Sequence, residues 1–301
     1  MAKNQVESIV NMRQISPLSY LADVVLGVEG LRVAAQVRLT HLELQGRDDR
    51  HTEAVLNDLR GLEDRITKLL AVEMAQHPAW PWLEQVKGAG LENSAKVIGI
   101  IEGVTFRATG RSSIAAFDTM SKLRRFAGLA PIDGKAEKRT KGEKLHYSSE
   151  LRTMLWRMGG GLIKTSVTTG KKRAPTPGGK FCIYYNRRKD EYTERFIRNG
   201  YKILPTPTAG WKCKNCQTGF EKKRDVTGCC TDPLPEKRLK QEGPNEIFLG
   251  HLDNMAKRKM VVMFSDMLWM YWRGALGLPC KPSYIVGKEP VRQHQPEDFI
   301  G

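Results

Sequence analysis

Leu83-Glu84-Gln85-Val86-Lys87-Gly88-Ala89-Gly90-Leu91-Glu92-Asn93-Ser94-Ala95-Lys96-Val97-Ile98 is the stretch on which the fold turns. Apolar Leu83 and Val86 lead into Gly-Ala-Gly, and Ala95, five positions after the second glycine, opens a further apolar helical run. This is the helix-hairpin-helix pattern. Two glycines permit a tight turn, and the backbone N–H groups at the start of the second helix can face a phosphate with no side chain between. Lys87, Gly88, Gly90, Ser94 and Lys96 are the expected phosphate-facing residues. Such contacts position a protein on a duplex and carry little base information. The plainer reading is a glycine turn that joins two packed helices.

Upstream of the hairpin, Ser16-Pro17 predicts a helix start, a capping hydroxyl followed by proline at the first helical position. Leu21, Val25, Val28, Leu31, Ala35, Leu39 and Leu42 then recur at helical spacing on one face. After Gly46 and a polar run, Val55, Leu59, Leu62, Ile66 and Leu69 form an a/d pattern. Residues 1–16 read as a tail and 17–76 as a helical hairpin or coiled-coil arm. The pattern leaves open whether the seam closes on itself or on a second chain.

Downstream, residues 77–165 read as a compact helical domain. Its cations Lys122, Arg124 and Arg125, and Lys135, Lys138, Arg139 and Lys141 of a basic loop, are further candidates for phosphate contact. Ser148 and Ser149 read as helix caps, with a weaker reading as nucleophiles activated by His146 and Arg152. Pro/Gly/Thr-rich joints bracket a basic insert over 166–244. In it Phe181 to Lys189, including Arg187 and Arg188, interleaves aromatics with cations. That composition suits base stacking, and equally a helix with one buried aromatic face and one basic face. Cys213, Cys216, Cys229 and Cys230 spell one Cys-x-x-Cys and an adjacent pair, the ligands of a candidate structural zinc knuckle, with reduced thiols or a redox-labile pair as the other readings. A zinc knuckle would display Trp211, Lys212, Lys214, Lys222, Lys223 and Arg224 on a rigid basic knob. Residues 245–278 read as a long aromatic helix with Asn245 as N-cap and Gly277 with Pro279 as the stop, followed by a tail over 279–301.

The chain of 301 residues carries 49 Lys+Arg against 33 Asp+Glu, and the excess is one-sided. Residues 1–90 hold 10 Lys+Arg and 12 Asp+Glu, so a surplus of 18 positive charges falls on residues 91–301. A surface of that kind attracts polyanions through counterion release, and nucleic acid is the first partner to expect. No run reaches the roughly 18 apolar residues of a membrane span, and the start lacks the basic and apolar regions of a secretory signal. A cytoplasmic protein is the expectation.

A likeness emerges from the order of these pieces. The hairpin, the helix Ile114 to Pro131 ending Gly128-Leu129-Ala130-Pro131, the basic loop and the Leu151-Arg152-x-x-Leu155 helix together resemble the C-terminal half of insertion-sequence transposases of the IS one-ten family, also called the one-sixteen or nine-oh-two type. The segment His251 to Val261 is similar, more loosely, to that family's closing segment. The resemblance implies DNA recombination by two cooperating parts. One is a nuclease-like domain whose four acidic residues hold a divalent metal; the other is a C-terminal domain with a nucleophilic serine, guided by a structured RNA. This chain departs from the pattern. About sixteen residues precede the arm, no acidic tetrad can be placed, and Ile132-Asp133-Gly134-Lys135-Ala136 stands where the serine is expected.

The sequence therefore predicts a mainly α protein, with a helical arm, a helix-hairpin-helix DNA-binding domain, a small Cys-rich insert and a long C-terminal helix. Its expected role is DNA binding in transposition or recombination, as a homo-oligomer on double-stranded DNA. Any strand chemistry would need a separately encoded nuclease-like subunit and its catalytic metal, and enzymatic activity is left open. The competing expectation is a structured-RNA or nucleoprotein-assembly module without enzymatic activity.

Overall fold

Ser16 opens the first helix as its residue type predicts: its hydroxyl accepts the Ser19 N–H at 3.0 Å and Pro17 occupies the first helical position. The computed structural model describes residues 16–106, 111–132, 135–137, 142, 145–165, 178–206, 210–221, 223–237, 242–280 and 294–300. Among them the chain is mainly α. Helix α1 (Pro17–Leu44) and helix α2 (Arg50–Ala75) pair as an antiparallel hairpin, the latter capped by Asp49, which accepts from the His51 and Thr52 N–H groups. Short α3 (Trp80–Leu83) precedes the glycine hairpin, and α4 (Leu91–Glu102) follows it. Next come α5 (Met120–Phe126), α6 (Ser149–Ile163), α7 (Lys180–Arg198) and α8 (Leu249–Ala275). The strands are short. Strand β1 (Thr105–Phe106) pairs with β2 (Arg111–Ser112), and β3 (Pro131–Ile132) with β4 (Lys135–Ala136), both antiparallel. Strand β5 (Lys202–Leu204) lies parallel to β9 (Glu246–Phe248). Strand β6 (Trp211–Cys213) is flanked antiparallel by β7 (Gly219–Phe220) and β8 (Pro235–Lys237).

The chain divides into two packing units, one formed by residues up to Ile183 together with those from Met260 onward, the other by Tyr184–Lys259. In the first, the arm and the hairpin-bearing segment share one core rather than standing apart. Gly99 of α4 lies so close to α1 that a Cβ there would sit 2.4 Å from Ala22 Cβ and 2.8 Å from the Leu18 carbonyl oxygen. Trp82, Phe117, Phe181, Phe264, Trp269 and Trp272 fill the centre. Indole N–H groups reach backbone oxygens, Trp82 to Pro296 at 2.8 Å and Trp269 to Phe117 at 2.6 Å. Buried Arg273 donates to the carbonyls of Ile114, Phe117 and Pro279. The Val261–Trp272 stretch is thus a core helix, and Gly277, at φ +64°, ends it as expected.

Three readings of the pattern are corrected. Asn245 does not cap α8: it has φ +58°, its carbonyl accepts the Lys202 N–H, and β9 intervenes before the helix. Leu31 turns outward. In α2 the predicted seam splits, because the buried face carries Thr52, Leu56, Ile66, Leu70 and Met74 while Val55, Leu62 and Leu69 point to solvent. The line Leu56, Leu59, Ile66 and Leu70 shares Leu59 and Ile66 with the predicted one and is also apolar, and tertiary packing chooses between the two. No helix of the described residues is long and apolar enough to cross a membrane.

Candidate nucleic-acid interface and cysteine cluster

The turn after α3 is closed by backbone hydrogen bonds from Val86 to Leu83 and from Ala89 to Val86, each 3.1 Å. Its two glycines answer different needs. Gly88 has φ +90°, and a Cβ there would lie 2.7 Å from the Gly161 carbonyl oxygen and 2.9 Å from Leu162 Cα. Only a residue without a side chain lets the turn lie this close to α6. Gly90, at φ +59°, meets nothing within 4 Å and is the N-cap of α4, with no side chain capping it. The first N–H groups of a helix have no partner inside the helix, so this end is open to an anion. Exposed Lys87 stands three residues before Gly90.

The other hairpin candidates point inward. Ser94 is buried, and its hydroxyl donates to the Ala89 carbonyl at 3.4 Å. Lys96 is buried as well, its ammonium 2.6 Å from Glu92 and 3.2 Å from Glu29 of α1. Glu29 also receives Arg157 of α6 at 2.5 Å, so one carboxylate ties α1, α4 and α6 together. Burial pushes the Glu29 carboxyl up, but Lys96 and Arg157 outweigh it and hold the group below its ordinary value. Lys96 is therefore spent on packing and does not face a ligand. The i,i+4 spacing of Glu92 and Lys96 was a readable sign of this pairing; Glu29, 67 residues away in sequence, was not.

Farther along, Lys122 pairs with Asp118 at 2.8 Å on the surface, and the lysine holds that carboxyl below its usual range. Arg124 forks onto the buried carboxylate of Asp266 in α8, Nε to Oδ1 at 2.6 Å, and so serves the core. Arg125 is exposed. Lys135 lies in β4, its side chain outside the described residues, as are Lys138, Arg139 and Lys141. Ser148 is the N-cap of α6, its hydroxyl accepting the Leu151 N–H at 3.1 Å, and exposed Ser149 is the first helical residue. His146 and Arg152 engage Glu137 instead of either serine: His146 Nδ1 lies 3.1 Å from its carboxylate and Arg152 donates to its carbonyl at 2.8 Å.

In the second unit the aromatic and basic faces of α7 separate. Tyr184 and Tyr185 are buried, and Tyr185 donates to Asp253 at 3.0 Å. Arg187 and Arg188 both reach Glu191, and the Arg188 guanidinium covers the Tyr184 ring at 5.1 Å.

The four cysteines converge. Cys213 at the end of β6, Cys216 in the following turn, and Cys229 and Cys230 beyond β7 place all four sulfurs within 4.8 Å of one another, an arrangement that could hold a metal ion. They are free thiols, with sulfur separations of 3.6 Å for 213–230, 3.4 Å for 216–229 and 3.8 Å for 229–230. The turn is built for sulfur. Gln217 adopts φ +59° and returns its N–H to the Cys213 carbonyl at 2.9 Å, while the Cys213 N–H reaches Thr218 at 3.0 Å. The backbone N–H of Cys216, helped by those of Leu234 and Asn215, pulls the Cys213 thiol down to about 6. The Thr218 hydroxyl and N–H lower Cys216. Burial, followed by the neighbouring thiols, pushes Cys229 and Cys230 up. Thr218 was not singled out by the sequence reading, and its place two residues after the Cys-x-x-Cys was the available signal. Around the cluster Lys214 and Arg224 are exposed, and Lys212 pairs with Glu236 at 3.2 Å.

No protein-family model, no curated protein and no solved structure matches this chain. The transposase likeness accordingly rests on the order of motifs in the sequence.

Proposed function

We propose that this protein binds the backbone of double-stranded DNA through the turn at Lys87–Gly90 and acts in transposition or recombination as a DNA-holding, transposase-like component. The observation that carries the reading is the uncapped, sterically open start of α4 at Gly90, with exposed Lys87 beside it. The one acid in that first helical turn, Glu92, is offset by Lys96 at 2.6 Å, which relieves its repulsion of a phosphate. The surplus of positive charge after residue 90 supplies long-range attraction. Strand chemistry falls to a separately supplied metal-dependent subunit, since Ser148 is engaged as a helix cap and the neighbouring His146 and Arg152 engage Glu137.

The metal that fits the four cysteines is structural zinc. Tetrahedral zinc–thiolate bonds of about 2.3 Å set sulfurs roughly 3.8 Å apart, close to the separations of 3.4–3.8 Å seen here. Four thiolates leave no open position, so the ion would hold the ribbon β6–β7–β8 in shape and present Lys214 and Arg224 as a rigid basic edge. Competition between a DNA duplex and a stem-loop RNA of equal length for the purified protein tests the reading. The duplex is expected to win; preferential retention of the RNA would move the function to a nucleoprotein-assembly role.

A further inference from the structure

The arm carries an apolar stripe that its own chain does not cover. On α2 the outward face reads Val55, Asp58, Leu62, Arg65, Leu69 and Val72, with the four apolar members 52%, 36%, 54% and 58% exposed in that order. These positions alternate spacings of three and four, so they form one continuous line along the helix, about 25 Å long at 1.5 Å per residue. A second line about a third of a turn round the helix, Thr52, Leu56, Ile66, Leu70 and Met74, is the one packed within the chain. On α1, Leu31, Val33, Val37 and Leu44 are also exposed, and no residue of that helix beyond Val28 is buried. A soluble protein seldom leaves so regular an apolar line bare unless something docks on it.

The charges within the line indicate what docks. Asp58 and Arg65 are both exposed and form no ion pair within the chain among the described residues. They sit almost symmetrically about Leu62, four residues before it and three after. An antiparallel copy of the same helix, related by a two-fold axis at Leu62, sets Leu62 against Leu62 and Val55 against Leu69. It also brings each Asp58 to the other chain's Arg65. A parallel copy would face Asp58 with Asp58 and Arg65 with Arg65, which like-charge repulsion disfavours. A self-complementary patch of this kind is what an isologous dimer contact requires.

We infer that the outer face of α2 is a homodimer interface in which two arms pack antiparallel about Leu62, forming a four-helix assembly from two hairpins. The inference uses the arm alone and is independent of the nucleic-acid reading. Two hairpin turns on one dimer would give the assembly two-fold symmetry.

Sedimentation equilibrium on the full-length protein tests it across a micromolar concentration series. The wild type is expected to be a dimer. Asp58→Arg and Arg65→Asp, each of which creates two like-charge contacts by symmetry, are expected to weaken dimerisation by about tenfold or more. The doubly exchanged variant, Asp58→Arg with Arg65→Asp, is expected to recover it, because the antiparallel pairing is restored with reversed polarity. Leu62→Asp is expected to abolish the dimer while leaving the far-ultraviolet circular dichroism and melting of the monomer intact, since the side chain is not part of the monomer's core. A wild type that stays monomeric throughout would overturn the inference, as it would if a different protein covered this face. Single charge variants that dimerise as well as wild type, or a double exchange that fails to recover, would overturn it too.

Discussion

Around Gly88 the chain is held by contact, and around Cys213 it is held by chemistry. The hairpin turn lies against α6 so closely that neither Gly88 nor Gly161 has room for a Cβ, and Val86, Ala89 and Ala95 are buried beside it. The ribbon of β6, β7 and β8 buries only Cys213 and Val226 among the described residues of 210–237. So small an apolar core contributes little against the entropy of ordering the segment, and the proposed zinc at the four sulfurs would add to it. Both regions present a basic turn to solvent, yet one is preformed by burial and the other, on the zinc reading proposed above, is held by an ion at four cysteines that could bind one.

The sharpest way to separate them is to challenge the zinc proposed for the four cysteines. Chelation of the full-length protein, or Cys213→Ser with Cys216→Ser, is expected to lower bound zinc from about one equivalent to well under half. It is also expected to remove amide-exchange protection from Cys213, Lys214 and Gln217 while Ala89 and Val86 remain protected. Equal loss in both regions would erase the distinction.

The hairpin has its own internal contrast. Gly88→Ala is expected to destabilise the first unit by about 2–4 kcal/mol, combining a left-handed backbone with a steric clash. Gly90→Ala meets no neighbour, and its cost of about 1–3 kcal/mol is expected from the backbone alone, since φ +59° with ψ 136° is a conformation that glycine adopts and alanine resists. Urea unfolding of the two variants measures the difference; similar losses would mean that the close approach to Gly161 is not what requires the first glycine.

Lys96→Met is expected to cost about 2–4 kcal/mol, less than a fully orphaned buried charge because Glu29 keeps Arg157. The pH dependence follows from Glu29. Its folded pKa is depressed, so its contribution is present above its ordinary 4.5 and is lost as the pH falls through the lower folded value. In Lys96→Met the depression shrinks, and the loss of stability on the acid side becomes shallower. Denaturant titrations stepped from pH 7 down through 4 would record it.

Much of this was legible in the sequence, where local chemistry decides the outcome. Ser16-Pro17, Gly277 and the capping role of Ser148 act within one helical turn, and the cysteine quartet is brought together by a short ribbon. What escaped is set by distant partners. Arg124 looks like a phosphate contact until Asp266, 142 residues away, takes it into the core. Lys96 reads as a free cation until Glu29 arrives from the arm. Asn245 has the composition of a helix cap, but the parallel pairing of β5 with β9 claims its carbonyl. Periodicity likewise showed that α2 is amphipathic without showing which of two apolar lines faces inward.

Lys87 and Lys96 flank the same glycines, and the structure leaves the first exposed while burying the second against Glu29 and Glu92. Replacing Lys87 with Glu should leave stability within about 0.5 kcal/mol, as for other exposed positions, and should act on binding alone. Duplex affinity measured against salt concentration is the direct test. The wild type is predicted to weaken linearly on a log–log scale, and Lys87→Glu to bind less tightly with a slope reduced by about one phosphate contact per chain, about 0.9. Binding that is indifferent to salt, or a slope that Lys87→Glu leaves unchanged, would contradict the assignment of the Gly90 turn as the DNA-backbone site.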